Sequence, residues 1–135
     1  MEVTNQPRLS FQGVDIVNVS FNSISPPDES LNINLSCVPK VYFPVESKNR
    51  FNIVMDIKIV DEKYFELSLK AVGKFEISED LTDELKKTFV NSNAPAIMFP
   101  YIRAFVTTFT SNLGKTIGTL WLPAQFFKGD LEEIH

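Results

Sequence analysis

One cysteine, one histidine and one tryptophan are spread over 135 residues, and each scarcity closes off a class of function. A lone Cys37 leaves no intramolecular disulfide framework and no four-thiolate metal site, so no metal is expected. The single histidine is the last residue, His135, which gives histidine-based acid–base or nucleophilic catalysis almost no support. Clustered positive charge is missing too. Thirteen Lys and Arg against 17 Asp and Glu leave a net charge of −4, with the lysines scattered. Phosphate recognition needs a basic face, so no nucleic-acid partner is expected. No apolar run reaches the ~18 residues needed to cross a bilayer. The opening "MEVTNQPRLSF" has no basic stretch followed by an apolar one, as a secretory signal would. These absences predict a soluble, reduced, cytoplasmic protein without direct membrane insertion.

The motifs present do not form an active site. Glu79, Asp80, Asp83 and Glu84 sit where a helix N-terminus favours acids. Asp61 and Glu62 belong to a hairpin turn, and Glu132 and Glu133 to the tail. "SNLGKTIG" contains Gly, Lys and Thr but lacks the spacing of a phosphate loop and follows a helix rather than a strand. Arg103, the one charge in the apolar part of the helix, could pair with a carboxylate or cap a neighbouring loop, but reads best as a solvated face position. No enzyme and no cofactor is expected.

Four stretches alternate with period two, the strand signal. In "LSFQGVDIVNVSF" the residues Leu9, Phe11, Val17, Val19 and Phe21 share a face. Val14 and Ile16 fall out of phase around Gly13 and Asp15, which predicts a bulge. "LNINLSCVPKVYFPV" aligns Leu31, Ile33, Leu35, Cys37, Val41 and Phe43, with Pro39 and Pro44 marking an edge or interrupted strand. "FNIVMDIKIV" and "YFELSLKAVGKFEI" read as a hairpin turning at "DEK". From Glu79 the period changes, and Leu81, Leu85 and Phe89 mark a short helix that "NSNAP" should break. A long helix then begins near Ala96, placing Pro100 in its first turn, and stops between Asn112 and Gly114. The fold class is α+β in one domain spanning 1–135: a four-stranded antiparallel sheet, then a short and a long helix.

The long helix carries more grease than one contact needs. Phenylalanine dominates the aromatics, twelve against three Tyr, and Phe packs without a polar partner. Ile97, Tyr101 and Phe105 form one ridge, and Met98, Ile102, Phe105 and Phe109 a second. Phe99 and Val106 lie outside that stripe. Either another subunit covers the surplus, or the tail folds back over it. Around Trp121, flanked by Leu120 and Leu122, and at Phe126 and Phe127, further apolar side chains lie outside any long element. They either complete the core or form a groove for extended polypeptide.

"NAPAIMFPYIRAFVTTFTSNLG" followed by "LWLPAQFF" resembles the SecB family of bacterial protein-export chaperones, most specifically at Ala96 to Arg103. "LSFQGVDIVNVSF" is similar to the family's first strand, and the likeness runs from about Leu9 to Phe127. The resemblance implies a homotetramer, a dimer of dimers, with Ile97, Tyr101, Ile102, Phe105 and Phe109 at subunit contacts. It implies a client-binding groove lined by Leu31, Ile33, Leu35, Leu120, Trp121, Leu122 and Phe126, holding unfolded preprotein without ATP. Export-type members also bind the SecA motor through acids late in the first strand, where this sequence has Asn18 and Asn22. The aromatic usual in the crossover is replaced within "SPPDES", and only "KGDLEEIH" stands where a C-terminal helix would run. These departures favour a narrower client, such as the antitoxin of a toxin–antitoxin–chaperone system. A purely structural oligomer is the alternative from another class. A lipid carrier is a weaker third reading.

Overall fold

The computed structural model describes residues 8–115, 117–123 and 131–134. Strands β1 (Leu9–Ser23), β2 (Asn34–Tyr42), β3 (Arg50–Asp61) and β4 (Phe65–Ile77) are followed by helices α1 (Asp83–Thr88) and α2 (Ala94–Ser111), then by a short β5 (Glu132–Ile134). The sheet order is β1-β4-β3-β2-β5. The expected antiparallel four are present, but the sheet has five strands, because the tail adds β5 parallel to β2 at Lys40–Tyr42. Three residues make little periodic signal, so this strand could not be read from the sequence.

Strict alternation builds the centre. Phe51, Ile53, Met55, Ile57 and Ile59 of β3 are buried, as are Phe65, Leu67, Leu69, Ala71, Phe75 and Ile77 of β4. The turn between them is tight: the Tyr64 amide donates to the Asp61 carbonyl at 3.1 Å, and the Lys63 amide to Asp61 Oδ1 at 3.0 Å.

β1 departs from the expected face. Its register against β4 shifts twice, between Phe11 and Val14 and again between Ile16 and Asn18. The first shift falls at Gly13, where φ is +114°, a conformation glycine adopts freely. The shifts bring Val14 opposite Gly73 and Ile16 opposite Ala71, so both join Leu9, Phe11 and Phe21 against the core. Val17 sits at the second shift and is exposed, which removes it from the face assigned by simple alternation. β2 runs unbroken through Pro39, and β5 begins to pair one residue later, at Lys40.

The two helices are not separated by a break. Thr82 caps α1, its Oγ1 accepting from the Leu85 amide at 3.2 Å. A wide π-helical turn over Phe89–Asn93 then carries the chain into α2. Because α2 starts at Ala94, it is Pro95 that takes the first-turn position, and Pro100 lies inside the helix. Pro100 and Ala96 both face solvent, so the carbonyl that loses its helical amide partner has water available.

Candidate functional site

One side of α2 packs on the sheet through Met98, Phe99, Ile102, Val106 and Thr110, all buried. Phe99 and Val106 are therefore core residues, not surplus on a wet side. Ile102 has 0% of its surface exposed within this one chain. That corrects its place among the expected subunit contacts, since its own sheet already covers it.

The other four expected contact residues follow one flank of the helix. Ile97 and Tyr101 are 36% and 55% exposed, and Phe105 and Phe109 are half-buried with their rings stacked at 5.7 Å. This flank leans over β1. Tyr101 lies 5.1 Å from the Phe11 ring, and Phe109 meets Phe21 edge-on at 6.3 Å.

The opposite flank holds a strap, residues 117–123. A row of polar side chains on α2 stitches it down. Thr110 Oγ1 accepts from the Leu120 amide at 2.9 Å while donating to the Val106 carbonyl. Thr107 Oγ1 donates to the Leu120 carbonyl, and Arg103 Nε to the Leu122 carbonyl, both at 3.2 Å. Ser111 and Thr119 share a hydroxyl hydrogen bond of 3.0 Å. Arg103 is thus a half-buried brace, not a solvated charge. Ile117, Leu120 and Leu122 turn inward and are buried, whereas Trp121 is 78% exposed. With its backbone neighbours tied on both sides, Trp121 has nowhere to turn but outward. The strap lies on the flank opposite Ile97, Tyr101, Phe105 and Phe109, and Ile97 and Tyr101 stay exposed. Among the described residues the tail therefore does not fold back over that ridge.

Pro100, Arg103, Ala104, Thr107, Thr108, Trp121 and Leu122 line a groove of about 360 Å³ between α2 and the strap. Leu31, Ile33 and Leu35 are not among its walls. Leu31 and Ile33 lie on the crossover ahead of β2, where Ile33 is exposed and Leu31 half-buried, and Leu35 sits half-buried within β2. Phe126, the remaining groove residue, lies outside the described residues.

The crossover is fastened to the β3–β4 hairpin by residues that sequence reading passed over. Asp61, treated as an ordinary turn carboxylate, is buried, and its Oδ2 accepts the Asn32 amide at 2.8 Å. The Tyr64 hydroxyl donates to Asp28 Oδ1 at 2.7 Å, and Lys63 pairs with Glu29 at 2.6 Å. The hydrogen bond to Asp28 and then burial hold the Tyr64 phenol above its ordinary pKa. Only the cluster "SPPDES" ahead of β2 hinted at such an anchor. Among the described residues no group of His, Cys, Asp and Glu is arranged to hold a metal.

A family model described as preprotein translocase subunit SecB matches residues 2–116. The chain belongs to the SecB family. Protein-export protein SecB of Anaplasma phagocytophilum is 29% identical over 130 residues, covering 81% of this chain and 82% of its own. An uncharacterized protein of Methanocaldococcus jannaschii is 28% identical over 119 residues, covering 83% and 76%. The SecB-like chaperone of Mycobacterium tuberculosis, solved in complex with a ChAD peptide from the HigA1 antitoxin, superposes with a TM-score of 0.71 over 88% of each chain at 16% identity. At that identity the likeness speaks for the fold alone. SecB-family proteins are chaperones and not enzymes, in keeping with a surface built around an exposed apolar side chain. No helix among the described residues is long and apolar enough to cross a membrane.

Proposed function

We propose that this SecB-family chain is an ATP-independent holdase, acting in the cytoplasm, that keeps an unfolded client from aggregating. One observation carries the reading. Trp121 is held in solvent by a strap whose flanking leucines are buried and whose backbone is tied to α2. A chain that needed only to fold would have turned this ring inward. Burying a ring of this size against a client is worth on the order of a few kcal/mol. Leu31, Ile33 and Leu35 supply a second apolar contact, and several such patches on one oligomer act together. Ile97, Tyr101, Phe105 and Phe109 would join subunits into the homotetramer.

The client is an unfolded preprotein or a single dedicated partner such as an antitoxin. Asn18 and Asn22 are exposed on β1, paired with Lys70 and Glu66 of β4. This strand end offers no run of acids for the SecA motor, which favours the dedicated partner. The test is light scattering from a chemically unfolded, aggregation-prone protein diluted into increasing amounts of this one. Suppression near one oligomer per client, without nucleotide, is expected. Trp121→Asp should weaken it severalfold while leaving the circular dichroism spectrum unchanged. Equal suppression by the variant would remove Trp121 from the client site.

A further inference from the structure

The inner face of β2 is an apolar strip that is covered at one end. Leu35, Cys37, Pro39 and Val41 stand at alternate positions along the strand and so share a face. Val41 is 3% exposed, whereas Leu35 and Cys37 are half-buried. The buried end is the one beside β5, which pairs with Lys40, Val41 and Tyr42 and with no earlier residue of β2. β5 has three residues in parallel pairing, a geometry that holds slightly less per residue than an antiparallel ladder. Its neighbour Leu131 packs on the core, and the Leu131 amide donates to Asn91 Oδ1 at 2.8 Å, in the π-helical turn. This anchor belongs to the helical layer and not to the sheet.

We propose that β5 is an autoinhibitory contact: it occupies the margin of β2 at Lys40–Tyr42 and gives way to an extended client segment that runs parallel to β2 in its place, with apolar residues at alternate positions. The inference rests on the holdase reading and adds a control to it. A client packed on Leu31, Ile33 and Leu35 lies at the Asn34 end of β2, and continuing along the strip brings it to β5 at Lys40. A segment longer than three residues covers Leu35 and Cys37 as well as Val41. The extra apolar area it removes from water favours it over β5. Pro39 has no amide to donate, so side chains more than a backbone ladder set the preference along the first half of the strip. Because binding needs β5 to leave, the observed affinity is the intrinsic one reduced in proportion to the fraction of molecules whose margin is free.

The test uses the full-length chain carrying Lys40→Cys and Glu132→Cys, with Cys37→Ala so that only one disulfide can form. Lys40 and Glu132 are register partners, and neighbouring strands about 4.8 Å apart are within the reach of a disulfide. The probe is a reduced, alkylated, dye-labelled protein that cannot refold, followed by its fluorescence anisotropy. The reduced variant should bind it about three- to tenfold more tightly than the oxidised one, whose β5 is tethered. In the parent chain, hydrogen exchange at Glu132–Ile134 should speed up when the probe binds, because those residues leave the β2 ladder. Equal affinity in the two redox states overturns the proposal and leaves the holdase reading standing. So does exchange in β5 that stays slow with the probe bound. Failure of the probe to bind the parent chain overturns both readings.

Discussion

Gly73 has no side chain at the point where α2 meets β4. A methyl group there would stand 2.8 Å from Met98 Sδ and 3.0 Å from the Phe75 ring. The thioether has room to yield only within a core where Met98 is fully buried. Gly73→Ala is therefore expected to cost about 1–2 kcal/mol of stability, read as a lower urea midpoint with unchanged slope. Cys37 illustrates the opposite case, a reactive group made inert. Burial, with a smaller contribution from Asp56, pushes its thiol up to about 12, so the thiolate that would attack an electrophile is scarce. Alkylation in mildly alkaline buffer should be slow in the folded protein and fast once it is unfolded. Fast reaction of the native thiol would contradict that placement.

Helix α2 works as an element with three separate sides: a core side, a flank over β1 and a flank under the strap. Thr110 links the first to the third. It is wholly buried, and its hydroxyl is the acceptor for the Leu120 amide. Thr110→Val keeps the shape but leaves that amide without a partner, at a cost of about 1–3 kcal/mol. Its more telling effect is on Trp121, whose fluorescence anisotropy should fall as the strap loosens, even where the far-ultraviolet spectrum is retained.

This is also where reading the sequence ran out. Period-two alternation located β3 and β4 because both bury one whole face. Helical spacing located α2 because its apolar residues outnumber its breakers. The flanking pieces were legible only in part. The bulge at Gly13 showed in the broken phase of β1, but a break in phase does not say which of its sides faces inward, so Val14 and Ile16 took the place assigned to Val17 on the inner face. A π-helical turn tolerates "NSN", which reads as a stop signal. The strap is held by side chain-to-backbone bonds from Arg103, Thr107 and Thr110. Such bonds leave no periodic trace, and these residues read as an ordinary polar face. Trp121 and its leucines were legible as unusual, but which of them turned outward was not.

For the whole molecule, the decisive question is what covers Ile97 and Tyr101. The two exposed side chains lie one helical turn apart beside Phe105 and Phe109, and they are the part of the proposed subunit contact that the chain does not satisfy itself. Replacing both with aspartate should leave the fold intact and lower the mass measured by sedimentation equilibrium, with tetramers giving way to smaller species. An unchanged mass would move the contact elsewhere. The two margins of the sheet differ in a way that bears on any such assembly. On one side β1 presents a full-length margin, whereas on the other the chain lays its own β5 along Lys40–Tyr42 of β2, fastened by Asn91 to the Leu131 amide at 2.8 Å. If both margins were bare, the β1 of one copy could stack on the β2 of the next, and the series would have no natural end. With β5 laid over three of the nine residues of β2, that margin is a poorer partner than the margin of β1. Edge-to-edge pairing is therefore favoured between two copies of β1 about a two-fold axis, a closed arrangement rather than a growing chain.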